Sequence, residues 1–225
     1  MREQIYAASD QDRAGKAAPE SDFKVESNAT LDGCIITKYT GPEGDVVIPS
    51  EIQGIPVRRI GREAFWGCSS LVSVVIPDSV TLIGVMAFRG CSNLDSVIIP
   101  DSVTLIGWYA FSRCSSLVSV IIPDSVTRIG WEAFRGCSNL TSVVIPDSVT
   151  WIGWRAFEGC TSLASVIIPD SVTLIGDGAF RECSSLVTVD IAPIKREWGA
   201  NNFDGCKLSP ASQAALKKAG YTGGF

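Results

Sequence analysis

The chain has 225 residues, a formal net charge of −5 and no histidine, and its length is sufficient for one sizeable hydrophobic core. Without histidine the Ser-His-Asp and Cys-His nucleophile systems are excluded, and no GxxxxGKS/T or GxGxxG phosphate loop occurs, so we predict a non-enzymatic protein without a cofactor. The chain has no basic run that would indicate a nucleic-acid partner. It also has no stretch of about 18 apolar residues that would indicate a membrane span.

The first 60 residues divide into a tail and a cap. Residues 1–24 are polar and rich in Ala, Gly and Asp, which predicts a disordered tail, and they contain no apolar segment typical of a signal peptide. Residues 25–60 are predicted to form an N-terminal β-hairpin cap and an irregular first repeat. The hairpin is expected because two apolar segments, CIITKYT (34–40) and DVVIP (45–49), are joined by Gly-Pro-Glu-Gly.

Residues 61–206 repeat with a period of 23 residues. Cysteines recur at this spacing throughout the segment, at Cys68, Cys91, Cys114, Cys137, Cys160, Cys183 and Cys206. A fixed period in this range indicates a solenoid, in which each unit buries its apolar face only against its neighbours. We therefore predict stacked coils with one continuous core, in which no single coil folds alone.

Each repeat consists of a strand, a turn and a closing segment. In the second repeat, LDSVII predicts a short strand with Leu94, Val97 and Ile99 facing inward. Ile98 then faces outward, and Pro100 ends the strand because proline cannot donate a backbone hydrogen bond. An Asp-Ser turn, an Ile-Gly bend and an Ala-Phe pair lead from there to the next cysteine.

Residues 207–225 are predicted to form a C-terminal cap with a short helix. In SPASQAALKKAG, Ser209 is a favourable N-cap, Pro210 suits the first helical position and Gly220 suits the stop. Such a helix would cover the apolar end of the last coil.

The repeat pattern CxxLxxVxIPxSVTxIGxxAFxxC resembles the leucine-rich repeats of the BspA-like (Treponema pallidum-type) family, over residues 61–206. The resemblance implies a right-handed, β-rich α/β solenoid with short parallel strands on the concave face. It implies irregular or short extended segments on the convex face. It also implies a binding or adhesion role and a cell-surface or secreted location.

The roles of the repeated cysteines and of the repeated turn aspartates each have more than one interpretation. The cysteines could form disulfides, hold a metal or fill the core; we favour the core, because the chain has neither a CxxC pair nor histidine. The turn aspartates could bind Ca²⁺ or cap their own turns, and we favour the turns. These aspartates are Asp78, Asp101, Asp124, Asp147 and Asp170.

The positions around the Ile-Gly pair vary between repeats, and they carry an unusual number of aromatic residues. Trp108, Trp131 and Trp154 recur in successive coils, so we predict that they stack into an exposed ladder. Exposed aromatic and arginine clusters are typical of contact sites, whereas drift at unconstrained surface positions is the alternative. The candidate binding residues are Trp108, Tyr109, Arg128, Trp131, Arg135, Trp151, Trp154 and Arg155.

The predicted concave face offers a competing site. An apolar stripe there suits a repetitive ligand or self-association; its members are Val75, Ile98, Ile121, Val144 and Ile167, flanked by a column of serines. Three functions follow. We favour a protein-interaction or adhesion module that uses the tryptophan and arginine positions, which we expect on the convex face and its edge. The alternatives are a carbohydrate-binding surface protein and a structural or self-assembling scaffold.

Overall fold

The computed structural model describes residues 15–28, 32–42, 44–194 and 196–225. In chain order the strands are β1 (Phe23–Asn28), β2 (Gly33–Tyr39), β3 (Gly44–Val47), β4 (Glu51–Ile52), β5 (Ile55–Ile60), β6 (Leu71–Val75), β7 (Leu82–Ile83), β8 (Ser96–Ile98), β9 (Leu105–Ile106), β10 (Ser119–Ile121), β11 (Arg128–Ile129), β12 (Ser142–Val144), β13 (Trp151–Ile152), β14 (Ser165–Ile168), β15 (Leu174–Ile175), β16 (Thr188–Ile191) and β17 (Glu197–Trp198), followed by helix α1 (Pro210–Lys218).

The chain forms a solenoid of about seven turns, as the 23-residue period predicts. Two strand positions in each coil pair in parallel with the same positions of the next coil. The Ile-Gly position forms one long ladder in the order β2-β5-β7-β9-β11-β13-β15-β17. The Ser-Val-Ile position forms three shorter sheets, β3-β6-β8, β10-β12 and β14-β16. The strongest strand signal in the sequence therefore belongs to the less continuous sheet, and two-residue strands carry the longer one.

The N-terminal hairpin predicted between CIITKYT and DVVIP is wrong. These segments are β2 and β3, and they lie in different sheets: β2 pairs with β1 and β5, whereas β3 pairs in parallel with β6. Val46 and Ile48 of the second segment are buried in the core, where they occupy the place of the Val and Ile of later repeats. The two segments therefore form the first coil, and the antiparallel pairs are β1-β2 and β4-β5.

The prediction of a disordered tail over residues 1–24 is wrong for residues 15–24. Residues 1–14 lie outside the described part of the chain, but residues 15–24 are ordered. They contain a 3₁₀ helix, Glu20–Asp22, and the start of β1. Ala18 N donates to Val47 O at 2.9 Å, and the Phe23 ring lies 5.2 Å from that of Tyr39. The segment is fixed because β1 covers the edge of β2, which would otherwise present unpaired backbone groups.

Phenylalanine forms the centre of the core. Each coil contributes one fully buried ring, and successive rings lie 4.8–5.7 Å apart and within 22° of parallel. The rings belong to Phe65, Phe88, Phe111, Phe134, Phe157, Phe180 and Phe203. Tyr39 stacks on the first ring and Tyr221 meets the last edge-on. Burying each ring contributes about 1.5–3 kcal/mol before conformational entropy is considered.

The cysteines join each coil to the one before it. All eight are free thiols, and from Cys91 to Cys206 each Sγ donates to the carbonyl oxygen of the Phe 26 residues earlier, at 3.1–3.3 Å. Burial raises the pKa of Cys137 to about 12, so this thiol keeps its proton at neutral pH. The column fills the core, and each of these thiols adds a second donor to a Phe carbonyl that already accepts from the backbone N–H of the cysteine three residues later.

Helix α1 closes the far end of the solenoid, as predicted. Ser209 accepts a hydrogen bond from Ser212 N at 3.2 Å and so caps the helix. The Ser212 hydroxyl in turn accepts from Val189 N at 2.9 Å. The Ser212 hydroxyl thus accepts the hydrogen bond from β16 that the backbone carbonyl of a further strand would otherwise accept.

Two positions in each closing segment require a left-handed backbone. The second residue after each Ile-Gly pair has φ between 51° and 63°, and this set is Glu63, Met86, Tyr109, Glu132, Arg155 and Gly178. The residue before each repeat cysteine also has positive φ, and most coils place glycine there. Arg113 and Glu182 are the exceptions, with φ of 63° and 59°.

Replacing Arg113 with glycine is expected to stabilise the protein. A non-glycine residue in this conformation lowers the free energy of unfolding by about 1–2 kcal/mol. The substitution removes this strain, but the greater freedom of glycine in the unfolded chain offsets about 0.5–1 kcal/mol of the gain. Urea unfolding of Arg113→Gly should therefore show a net gain of about 0.5–1 kcal/mol. The control Gly136→Ala should lose stability, because φ there is 72°. A loss of stability in Arg113→Gly would contradict the strain argument.

Candidate functional site

The three tryptophans form a stacked ladder on the surface, as the repeat period predicts. The Trp108 and Trp131 rings lie 4.4 Å apart with their planes 9° from parallel. The Trp131 and Trp154 rings lie 5.1 Å apart and 11° from parallel. Trp108 is 46% exposed and Trp154 is 52% exposed, whereas Trp131 between them is half-buried. We refer to these three residues as the Trp ladder.

A second aromatic group joins the ladder from the Ile-Gly sheet. The Trp151 ring meets Trp131 edge-on, with centroids 6.5 Å apart. The Arg128 guanidinium lies 5.9 Å from the centre of the Trp151 ring, in the geometry of a cation–π contact. Leu105, one coil earlier in the column of Arg128, is 43% exposed. The apolar surface is therefore wider than the ladder alone.

A groove runs beside the ladder. One wall is the left-handed column of Tyr109, Glu132 and Arg155, and the other is Trp131, Trp154 and Asp177. It encloses a volume of about 330 Å³. We call the Trp ladder and the residues of this groove the Trp face.

Ion pairs hold the arginines near the groove. Arg135 contacts two carboxylates, with Nη1 3.0 Å from Glu132 Oε2 and Nε 2.8 Å from Glu158 Oε2. Burial disfavours the Arg135 charge, but these carboxylates outweigh it and raise the pKa of Arg135 above its ordinary value. Arg155 and Arg181 also approach Glu158, at 3.8 and 3.9 Å. Glu158 is buried. Because three arginines lie within 4 Å of its carboxylate, it is their shared counter-charge.

The structure brings the eight predicted residues into one neighbourhood, in three groups. Trp131, Trp154 and Tyr109 border the groove, and Trp108 stacks on Trp131. Arg128 lies on Trp151, and Arg135 and Arg155 converge on Glu158. Sequence reasoning missed the acidic members of this neighbourhood. Glu132 lies in the same turn as Arg135 and so could have been considered from the sequence, whereas the role of Glu158 depends on coil stacking.

The Ser-Val-Ile face is less uniform than the sequence suggests. Ile98, Ile121 and Val144 are half-buried, while Ile167 is 59% exposed. Open depressions follow the Pro-Asp-Ser turns along its margin. At these turns the serine makes the contact between coils; Ser102 Oγ, for example, donates to Val80 O at 2.6 Å. The concave and convex assignments of the two faces stay predictions, as does the capping role of the aspartates.

No three Cys, Asp or Glu side chains in the described part of the chain are grouped so that they could hold a metal ion. Within the same residues, no helix is both long and apolar enough to cross a membrane.

Comparison with known proteins gives a consistent result. A family model for the BspA type leucine rich repeat region matches in six copies, over residues 58–187 and 104–215. The crystal structure of a leucine-rich repeat protein from T. pallidum is 39% identical, with 93% of this chain and 99% of that chain covered and a TM-score of 0.87. A search of curated proteins found no match.

Two longer structures match in part. A leucine rich cell surface protein from Faecalibacterium prausnitzii is 36% identical, and the match covers 78% of this chain and 54% of that one with a TM-score of 0.63. A leucine-rich repeat protein from Bacteroides ovatus is 27% identical over 84% of this chain and 56% of that one, with a TM-score of 0.63.

Removing the charge of Glu158 is expected to destabilise the protein. Glu158→Gln leaves three arginines without their shared carboxylate, and we expect a loss of about 1–2 kcal/mol in chemical denaturation. The matched control is Glu182→Gln, because the Glu182 side chain is 60% exposed and lies 3.8 Å from Arg181. This exposed pair should contribute less than about 0.5 kcal/mol. Equal effects of the two substitutions would show that Glu158 has no special role.

Proposed function

Because the chain belongs to the BspA-type leucine-rich repeat family, we propose that it is a non-enzymatic binding module whose Trp face docks a protein partner. Proteins of this family generally mediate protein interactions or adhesion. The proposal assigns that role to one surface of this chain.

The exposure of the Trp ladder is the observation that carries the proposal. Large aromatic side chains at about half exposure leave apolar area in contact with water, and contiguous patches of this kind usually mark interaction sites. Tryptophan, tyrosine and arginine are the residues most enriched among those that dominate binding energy. All three types border the groove beside the ladder.

The ladder also carries costs that folding alone does not explain. The indole N–H groups of Trp131 and Trp151 are buried and find no acceptor among the described residues. An unsatisfied buried donor costs about 1–3 kcal/mol. These costs favour retention of the side chains for contact with a partner.

The ring geometry favours a protein over a glycan. A sugar ring stacks on a free indole face, but the faces of Trp131 are covered by Trp108 and Trp154. The Trp154 ring also packs over Gly176, where an added Cβ would lie within 2.4 Å of Trp154 Cδ1. What the ladder mainly offers is ring edges beside a groove, and these suit the side chains of a protein.

The arginine contacts preorganise the face. Arg128 lies on Trp151, and Arg135 is held by two carboxylates. Side chains fixed before association lose less conformational entropy on binding. Arg135 therefore supports the face and is less free to reach a partner than its sequence position suggests.

Trp108→Ser with Trp154→Ser should abolish partner capture. Both side chains are exposed, so their loss should leave the fold intact and remove the docking surface. The test compares proteins retained from a cell extract by the immobilised wild type, by this double variant and by Trp66→Ser. Trp66 is a matched control because it is 60% exposed and lies outside the Trp face.

The proposal expects proteins, other than the bait chain, that the wild type and Trp66→Ser retain and the double variant loses. Identical retained sets for all three proteins would contradict it. Loss of retention after enzymatic deglycosylation of the extract would support the carbohydrate-binding alternative. Unchanged capture with an altered oligomer mass would support the scaffold alternative.

A further inference from the structure

The column that contains the Trp ladder is complementary to itself when reversed. In six successive coils, the residue directly after the Ile-Gly pair is Arg62, Val85, Trp108, Trp131, Trp154 and Asp177. The apolar residues lie in the middle, with a cation at one end and an anion at the other. Arg62 and Asp177 are both exposed, and the Arg62 side chain is 71% exposed despite its contact with Glu63.

The same polarity extends over the neighbouring columns. Around the Ile-Gly and Ala-Phe pairs of the first four coils, two acids, Glu63 and Glu132, accompany six arginines: Arg59, Arg62, Arg89, Arg113, Arg128 and Arg135. In the last two coils the balance reverses. Arg181 is there accompanied by Asp177, Glu182, Glu197 and Asp204. The basic and acidic ends therefore lie on opposite sides of the Trp ladder along the solenoid.

We propose that the Trp face binds a second copy of this chain in antiparallel orientation, to form a two-fold symmetric dimer. In such a dimer each column faces its own copy in reverse. A two-fold axis midway between the coils of Trp108 and Trp131 places Arg62 opposite the other copy's Asp177. It places Val85 opposite the other copy's Trp154, and Trp108 opposite the other copy's Trp131.

Charge selects the antiparallel arrangement. A parallel two-fold dimer would place Arg62 against its own copy and Asp177 against its own copy, and like charges in contact are unfavourable. The antiparallel register pairs opposite charges at both ends and covers the exposed indoles at its centre. An isologous contact of this kind is closed, so assembly stops at the dimer.

This inference rests on the proposed function, since both require the Trp face to be a contact surface. It adds that the protein bound to the Trp face is a second copy of the chain. Another protein that docks on this face must compete with the second copy, so binding of that protein should depend on the concentration of the chain.

Sedimentation velocity over a wide concentration range tests the dimer. The wild type should reach twice the mass of one chain. Trp108→Ser with Trp154→Ser should raise the dimer dissociation constant at least about 30-fold, which corresponds to about 2 kcal/mol. The control Ile167→Asp changes the most exposed large apolar residue of the Ser-Val-Ile face and should leave the dimer intact.

Mixing two charge variants tests the orientation. Arg62→Glu and Asp177→Lys should each weaken the homodimer about tenfold, because each places like charges opposite one another. An equimolar mixture should dimerise as well as the wild type, since both contacts between the unlike chains are then attractive. Asp177 Oδ1 accepts from Ala200 N; if the lysine variant does not fold, Asp177→Asn keeps an acceptor. Its mixture with Arg62→Glu should still form a tighter dimer than Arg62→Glu alone.

A monomeric wild type at every concentration would overturn the dimer, and so would a dimer that the tryptophan substitutions leave unchanged. Loss of the dimer in Ile167→Asp would place the interface on the other face. A mixture no tighter than its components would overturn the antiparallel register. A monomer whose tryptophan variant still loses captured proteins would refute the dimer and leave the proposed function standing.

Discussion

The structure depends on one constraint: every coil must present the same atoms to the coil above and below. Parallel backbone hydrogen bonds between coils set the spacing and the register. The stacked phenylalanine rings repeat in that register, and so do the cysteine thiols, each of which donates to the Phe carbonyl of the preceding coil. An insertion of one residue between the Phe and the Cys of a coil would misalign both contacts of that coil. Identical inward residues are therefore required, and this requirement explains why the repeats are so uniform.

The same constraint turns outward residues into columns. A side chain at a variable position lies directly beside its counterparts in adjacent coils, so three tryptophans at one position must stack. The surface is thus arranged one-dimensionally, as an ordered series of residues along the solenoid axis. The Trp face and the opposite charges at its two ends both arise in this way. We propose that this surface acts by binding its series of residues to a complementary series on another chain.

Much of this arrangement could be predicted from the sequence, because periodicity determines which residues are neighbours. The solenoid and the stacked ladder follow from the 23-residue spacing, and the C-terminal helix follows from the capping residues Ser209, Pro210 and Gly220. The N-terminal hairpin could not be predicted correctly, since the alternation in CIITKYT and DVVIP is the same whether a strand pairs with its neighbour in sequence or with the next coil. The shared role of Glu158 and the left-handed backbone at Tyr109 depend on side-chain reach and backbone angles, which residue spacing does not specify.

The central claim is that the Trp ladder, aligned by the coil register, is the surface on which two copies of the chain meet. Oxidative footprinting of the wild-type protein, read by mass spectrometry over a dilution series, tests it most directly. The account predicts that Trp108 and Trp154 are protected in concentrated protein and become reactive on dilution, while the exposed Val118 and Ile167 react equally throughout. Unchanged reactivity of the two tryptophans on dilution, or protection at Ile167 instead, would contradict it.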